Sequence, residues 1–137
     1  MCTVLLIGSD PALLEGLAQT LASAGHRALL AGDMREAAEL AVAERPLLAV
    51  VERRMAGVDG SALMRLPLAA GGSFVLYREA GDGRPSLATA VERATLADLA
   101  LPLERQRLVA LVQHVEGRAR AVGRGRVTTP TEVPRLR

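Results

Sequence analysis

Apolar positions in this chain come either as short unbroken runs or as stripes at helical spacing. Thr3-Val4-Leu5-Leu6-Ile7 is an unbroken run that stops at Gly8-Ser9. That pattern suits a strand buried on both faces, as in parallel sheets. Asp10-Pro11 comes next, and Asp as N-cap with Pro at the first helical position starts a helix. Leu13, Leu14, Leu17, Leu21 and Ala24 then recur at helical spacing, and Gly25 closes the helix.

The same alternation continues. Arg27 to Ala31 suits a second strand, Asp33 caps a helix through Ala43, and Leu47 to Val51 is a third apolar run. A βαβαβ order implies parallel pairing with right-handed crossovers. Ser61 to Leu66 predicts a short helix, Ser73 to Tyr77 a fourth strand, Ser86 to Arg93 a fourth helix and Ala97 to Leu101 a fifth strand. From Glu104 the longest amphipathic helix follows, with Leu108, Leu111, Val112 and Val115 on one face. The expectation is an α/β domain over residues 1–121, with five strands and five helices. From Val122 the apolar period stops among Gly123, Gly125, Pro130 and Pro134, so residues 122–137 are expected to be a disordered tail.

Composition narrows the chemistry. The 137 residues are half hydrophobic, enough for one core and no second domain. Phe74 and Tyr77 are the only aromatic residues, so Leu, Val and Ala must build that core. Cys2 is the single cysteine, which excludes a disulfide framework and a Cys-based metal motif, and fits a reducing compartment. No apolar run nears the roughly 20 residues that span a bilayer, and the first strand lacks the basic leader of a signal peptide. A cytoplasmic protein without membrane contact is expected. All 17 basic residues are arginine, so any step that needs a lysine ammonium is excluded.

Two stretches carry a resemblance: VLLIGSDPALL at residues 4–14 and PLLAVVERRMAGVDG at residues 46–60. With the spacing to Leu101-Pro102, they resemble the receiver domain of two-component response regulators, over nearly the whole expected domain. The resemblance implies a flavodoxin-like (CheY-like), doubly wound, five-stranded parallel sheet of order 2-1-3-4-5, with helices on both faces and a crevice at the carboxyl ends of the strands. Receivers carry there an acidic pair that holds Mg²⁺, a phosphate-accepting aspartate, a small hydroxyl residue and a lysine before a proline. The metal neutralises phosphoryl oxygens while the carboxylate attacks.

Laid onto this chain, the acidic pair falls on Gly8 and Ser9, with Asp10 beside them. The phosphate acceptor falls on Glu52, the hydroxyl position on Tyr77 and the lysine on Leu101. The aromatic switch position falls on Asp98. The resemblance thus implies a pseudo-receiver: a retained scaffold without catalytic residues, and no enzyme.

Each position also has an ordinary reading. Glu52 is a strand-end carboxylate, solvated or paired with Arg53, Arg54 or Arg78; its extra methylene could also imitate an aspartyl phosphate. Asp10 caps a helix. Asp10 and Glu52 are the residues that could share a metal, but with Ser9 they make a thin Mg²⁺ donor set, so no cofactor is expected. Tyr77 reads as a plug, since a phenol with an ordinary pKa near 10 stays protonated at neutral pH. By resemblance, the Leu101-Pro102 peptide is cis. Gly57, Asp59 and Gly60 form a turn signal. His26 and His114 lack ligand-like spacing and read as surface or cap residues.

Three functions compete. The first is a phosphorylation-independent module that binds a protein, or a second copy of itself, through the face of the fourth helix, fifth strand and fifth helix. The second is a receiver that still accepts phosphate on Glu52 within a phosphorelay. The third is a small-molecule binder in the crevice, although Gly8-Ser9-Asp10 stands where a dinucleotide-binding glycine motif would begin. The arginines from Arg105 to Arg126 give a basic edge, but no DNA-reading element accompanies them, so nucleic acid is not the expected partner.

Overall fold

The computed structural model describes residues 2–79 and 87–128. Five parallel strands, β1 (Thr3–Ile7), β2 (Arg27–Ala31), β3 (Leu48–Glu52), β4 (Ser73–Glu79) and β5 (Thr95–Leu101), form one sheet in the order β2-β1-β3-β4-β5. The helices are α1 (Pro11–Ser23), α2 (Met34–Glu44), α3 (Arg53–Val58), α4 (Gly60–Met64), α5 (Thr89–Ala94) and α6 (Arg105–Thr128). The doubly wound α/β architecture expected from the sequence is the one observed.

Strand parity explains why the apolar runs are continuous. On one face Val4, Leu6, Leu48, Val50, Val75, Leu99 and Leu101 pack with Leu14, Leu17 and Leu21 of α1 and Leu108, Val112 and Val115 of α6. On the other, Leu5, Ile7, Ala49, Val51 and Leu76 pack with Ala37 and Ala41 of α2, Ala56 of α3, Leu63 of α4 and Val91 of α5. Every residue of β1 from Val4 to Ile7 is therefore fully buried. Burial of each such side chain contributes about 1.5–3 kcal/mol, so both layers are needed to offset the ordering of the chain.

The helix ends follow local chemistry. Asp10 accepts hydrogen bonds from the amides of Ala12 (3.1 Å) and Leu13 (3.3 Å) with Oδ1, and Pro11 occupies the first turn of α1. Asp33 Oδ1 accepts from the Glu36 amide at 2.8 Å, while Glu36 Oε1 accepts from the Gly32 amide at 2.7 Å. This is close to a capping box, with the return bond going to the amide one residue before the cap. Gly25, at φ +89°, adopts the left-handed turn that redirects the chain from α1 into β2.

β4 and β5 are each two residues longer than expected, ending at Glu79 and starting at Thr95, and three helices also differ from the sequence expectation. The stretch after β3 is helical at once: α3 starts at Arg53 because Arg53 and Ala56 both have buried places to occupy, and the expected turn shrinks to Asp59 between α3 and α4. The fourth helix is the short α5, and the part of its expected span before Leu87 lies outside the described residues. α6 runs to Thr128, past Val122 where the apolar period stops. A helix already anchored by packed turns extends at the cost of one residue at a time, without needing an apolar period. Residues 129–137 lie outside the described residues. No helix among the described residues is long and apolar enough to cross a membrane.

A filled crevice at the carboxyl end of the sheet

β1 and β3 are neighbours at the centre of the sheet, so their carboxyl ends bring Gly8, Ser9 and Glu52 together. Glu52 is the last residue of β3 and is 5% exposed. Its Oε1 accepts two hydrogen bonds from Ser9, from the amide at 3.1 Å and from Oγ at 2.9 Å. Its Oε2 accepts one from Arg54 Nη2 at 3.1 Å. Of the three arginines weighed as partners from the sequence, Arg54 is the one the fold supplies. Both carboxylate oxygens thus hold charge-assisted or backbone contacts that keep the group stationary.

Tyr77 lies directly across the ladder from Glu52. It is 1% exposed and belongs to the α1/α6 layer of the core. Its hydroxyl reaches the backbone of Gly8 so closely that a Cβ added at Gly8 would lie 1.9 Å from the phenolic oxygen and 3.1 Å from Cζ. Gly8 is therefore a glycine because Tyr77 fills the space in which a side chain would stand. Burial, then the negative charges of Glu52, Glu79 and Asp10, push the phenol pKa far above its ordinary value of 10.0. The hydroxyl remains protonated, as a wall of the pocket.

The remaining positions follow suit. Ser9 spends its hydroxyl on Glu52, and Asp10 spends its carboxylate on the first turn of α1. Leu101 is fully buried among Leu99, Leu108 and Val112, with no polar atom to offer a phosphoryl oxygen. The Leu101-Pro102 peptide is cis. Mg²⁺ prefers an octahedron of oxygens anchored by carboxylates. Gly8 brings none, and the carboxylates of Asp10 and Glu52 are committed elsewhere, so these residues do not fit that ion.

Tyr77 closes one side of the crevice, while on the other side Ser9, Glu52 and Arg54 border an open groove of about 520 Å³ with Met34, Met55 and Val58. Behind it sits a group that sequence reasoning missed. Arg53, only 4% exposed, donates from Nη1 to Asp98 Oδ2 on β5 and from Nη2 to Glu92 Oε2 on α5, the latter at 3.0 Å. Asp98 stands at the position where the resemblance puts an aromatic switch residue. Here it pairs with a buried guanidinium and fastens α5 and β5 to the end of β3. An acidic residue at the switch position next to the double arginine Arg53-Arg54 was the available signal.

His26 corrects another reading. It is 6% exposed, not a surface residue, because the left-handed turn at Gly25 sends the chain inward under α1. Its amide still completes the helix end by donating to the Leu21 carbonyl at 2.9 Å. His114 on α6 is exposed, as expected.

No protein-family model matches the chain, and no curated protein does. Solved structures do match. A response regulator from Chloroflexus aurantiacus superposes with a TM-score of 0.67 at 25% identity, covering 85% of this chain and 98% of that one. The receiver domain protein of Clostridium thermocellum gives 0.71 at 15% identity, covering 89% and 99%. A two-component response regulator from Clostridium difficile gives 0.70 at 20%, covering 86% and 98%. The fold is the CheY-like receiver fold. These three neighbours are response regulators or their receiver domains, and each is spanned almost end to end.

Proposed function

We propose that this chain is an atypical receiver that works in signal transduction by binding a protein, independently of phosphorylation and without catalysis of its own. The Gly8–Tyr77 contact carries the reading. A residue whose hydroxyl lies 1.9 Å from the place of a Cβ at position 8 is incompatible with the acidic side chain on which a receiver's metal depends. The match to the Chloroflexus aurantiacus response regulator supports the signalling role. The lack of any lysine removes the cation that would meet the phosphoryl group.

The proposed docking face is α5, β5 and α6. Arg53 pins α5 and β5 to the sheet end through Glu92 and Asp98, so this face is held in one arrangement without a phosphate signal. At the head of α6, Leu103 is 74% exposed beside the exposed Arg105 and Arg107. An apolar residue within a basic rim suits a protein partner with a complementary acidic surface, or a second copy of the chain. The reading places the protein in the cytoplasm, with no Mg²⁺, no membrane and no nucleic acid in its action.

Incubation with acetyl phosphate and Mg²⁺ tests the reading. No acid-labile or base-labile phosphate is expected on the intact protein by mass spectrometry. Stoichiometric labelling that disappears in Glu52→Ala would instead establish a phosphorelay receiver using Glu52.

A further inference from the structure

The amino end of the sheet holds a second constellation, unrelated to the crevice. Cys2 immediately precedes β1, His26 immediately precedes β2, and the two neighbouring strands are joined there by the Arg27 amide donating to the Cys2 carbonyl at 2.9 Å. α6 crosses the same end and contributes Glu116. One potential ligand atom from each of Cys2, His26 and Glu116 lies within 4.8 Å of the others.

His26 is 6% exposed, and its Nδ1 faces the Cys2 sulfur at 3.6 Å. A thiol is a weak partner for an imidazole and a good neighbour for it on a metal ion. Two ligands held tetrahedrally by Zn²⁺, at about 2.3 Å for sulfur and about 2.0–2.1 Å for nitrogen, sit about 3.6 Å from each other. Sγ and Nδ1 are already at that separation.

We infer that Cys2, His26 and Glu116 form a site for a single Zn²⁺-class divalent ion that fastens α6 to the amino end of the sheet. Thiolate and imidazole select zinc over Mg²⁺ or Ca²⁺, and three protein ligands leave the fourth position to water. The Cys2 thiol releases its proton to solvent when the ion binds, and His26 binds as the neutral ring. Without an ion, burial and the Glu116 carboxylate raise the thiol pKa above 9.0. A dication reverses that repulsion by standing between the two anionic groups. Arg120 touches Glu116 Oε2 at 3.4 Å and stays as the outer partner that orients the carboxylate.

Co²⁺ titration of the untagged, chelator-treated protein tests this. One equivalent is expected to produce a thiolate-to-cobalt absorption band in the near ultraviolet together with tetrahedral visible bands, and Zn²⁺ is expected to displace it. Cys2→Ser should abolish the thiolate band, and Glu116→Gln should weaken Zn²⁺ binding by more than about tenfold. Both residues are only partly buried, so these variants fold even if His26→Gln does not. Absence of a thiolate band, or equal Zn²⁺ affinity in the native protein and both variants, would overturn the site.

Discussion

The two ends of the sheet use the same construction and reach opposite results. At the carboxyl end, strand ends and loops bring five positions together where a receiver has its chemistry, and the side chains there neutralise one another. Glu52 is satisfied by Ser9 and Arg54, Tyr77 fills the space over Gly8, and Leu101 is simply core. At the amino end, Cys2, His26 and Glu116 converge with one potential ligand atom each, all within 4.8 Å of one another. The polar groups of the crevice are occupied with one another, whereas those at the amino end stand at ligand spacing.

The largest effect expected from breaking this comparison is at Tyr77. Tyr77→Ala should cost about 3–5 kcal/mol in urea denaturation, the range for truncating an aromatic side chain in a core. Gly8→Ala should cost about 1–3 kcal/mol, since the new methyl group displaces the phenol. Combined, the two should be less harmful than their sum by about 1–3 kcal/mol, because the methyl enters the space the ring vacates. Simple additivity would mean that Tyr77 and Gly8 are not coupled and that the crevice is not filled in this way.

A smaller effect sharpens the same point through pH. The protein has one tyrosine and no tryptophan, so tyrosinate absorbance reports on Tyr77 alone. The folded-state pKa is raised above the ordinary 10.0, so the contribution of the neutral phenol to stability is complete below pH 10.0 and is lost as pH rises beyond it. The unfolded chain releases its phenolic proton first, and stability should fall by at most about 1.4 kcal/mol per pH unit. Tyrosinate absorbance should then appear together with unfolding. A phenol that titrates near pH 10 in the still-folded protein would place the ring in solvent.

How much of this was legible in the sequence depends on the range of the interaction. The five strands and the caps at Asp10 and Asp33 depend on neighbouring residues or on strand parity and could be read from the sequence pattern, whereas the strand order came only from the receiver resemblance. Tyr77 as a plug was also legible, since a large ring stands where a small hydroxyl is expected. That it excludes a side chain at Gly8 in particular was not, because the contact joins β4 to the end of β1. Arg53 reads as a possible partner of Glu52 until β5 and α5 bring Asp98 and Glu92 to it. Cys2, His26 and Glu116 share no spacing that suggests a ligand set, and only the return of α6 across the sheet end unites them. The early start of α3 escaped notice because Gly57 and Asp59-Gly60 imitate a loop, while the buried positions of Arg53 and Ala56 are what hold the turn.

The proposed closure of the crevice to phosphoryl chemistry is reported most directly by the Ser9 amide, which donates to Glu52 Oε1 at 3.1 Å. Amide NMR spectra should be recorded while millimolar Mg²⁺, with and without beryllofluoride as the phosphoryl mimic, is added to the native protein. The Ser9 and Glu52 resonances are expected not to move. A saturable shift of both, strengthened by beryllofluoride and lost in Glu52→Ala, would contradict the proposed closure.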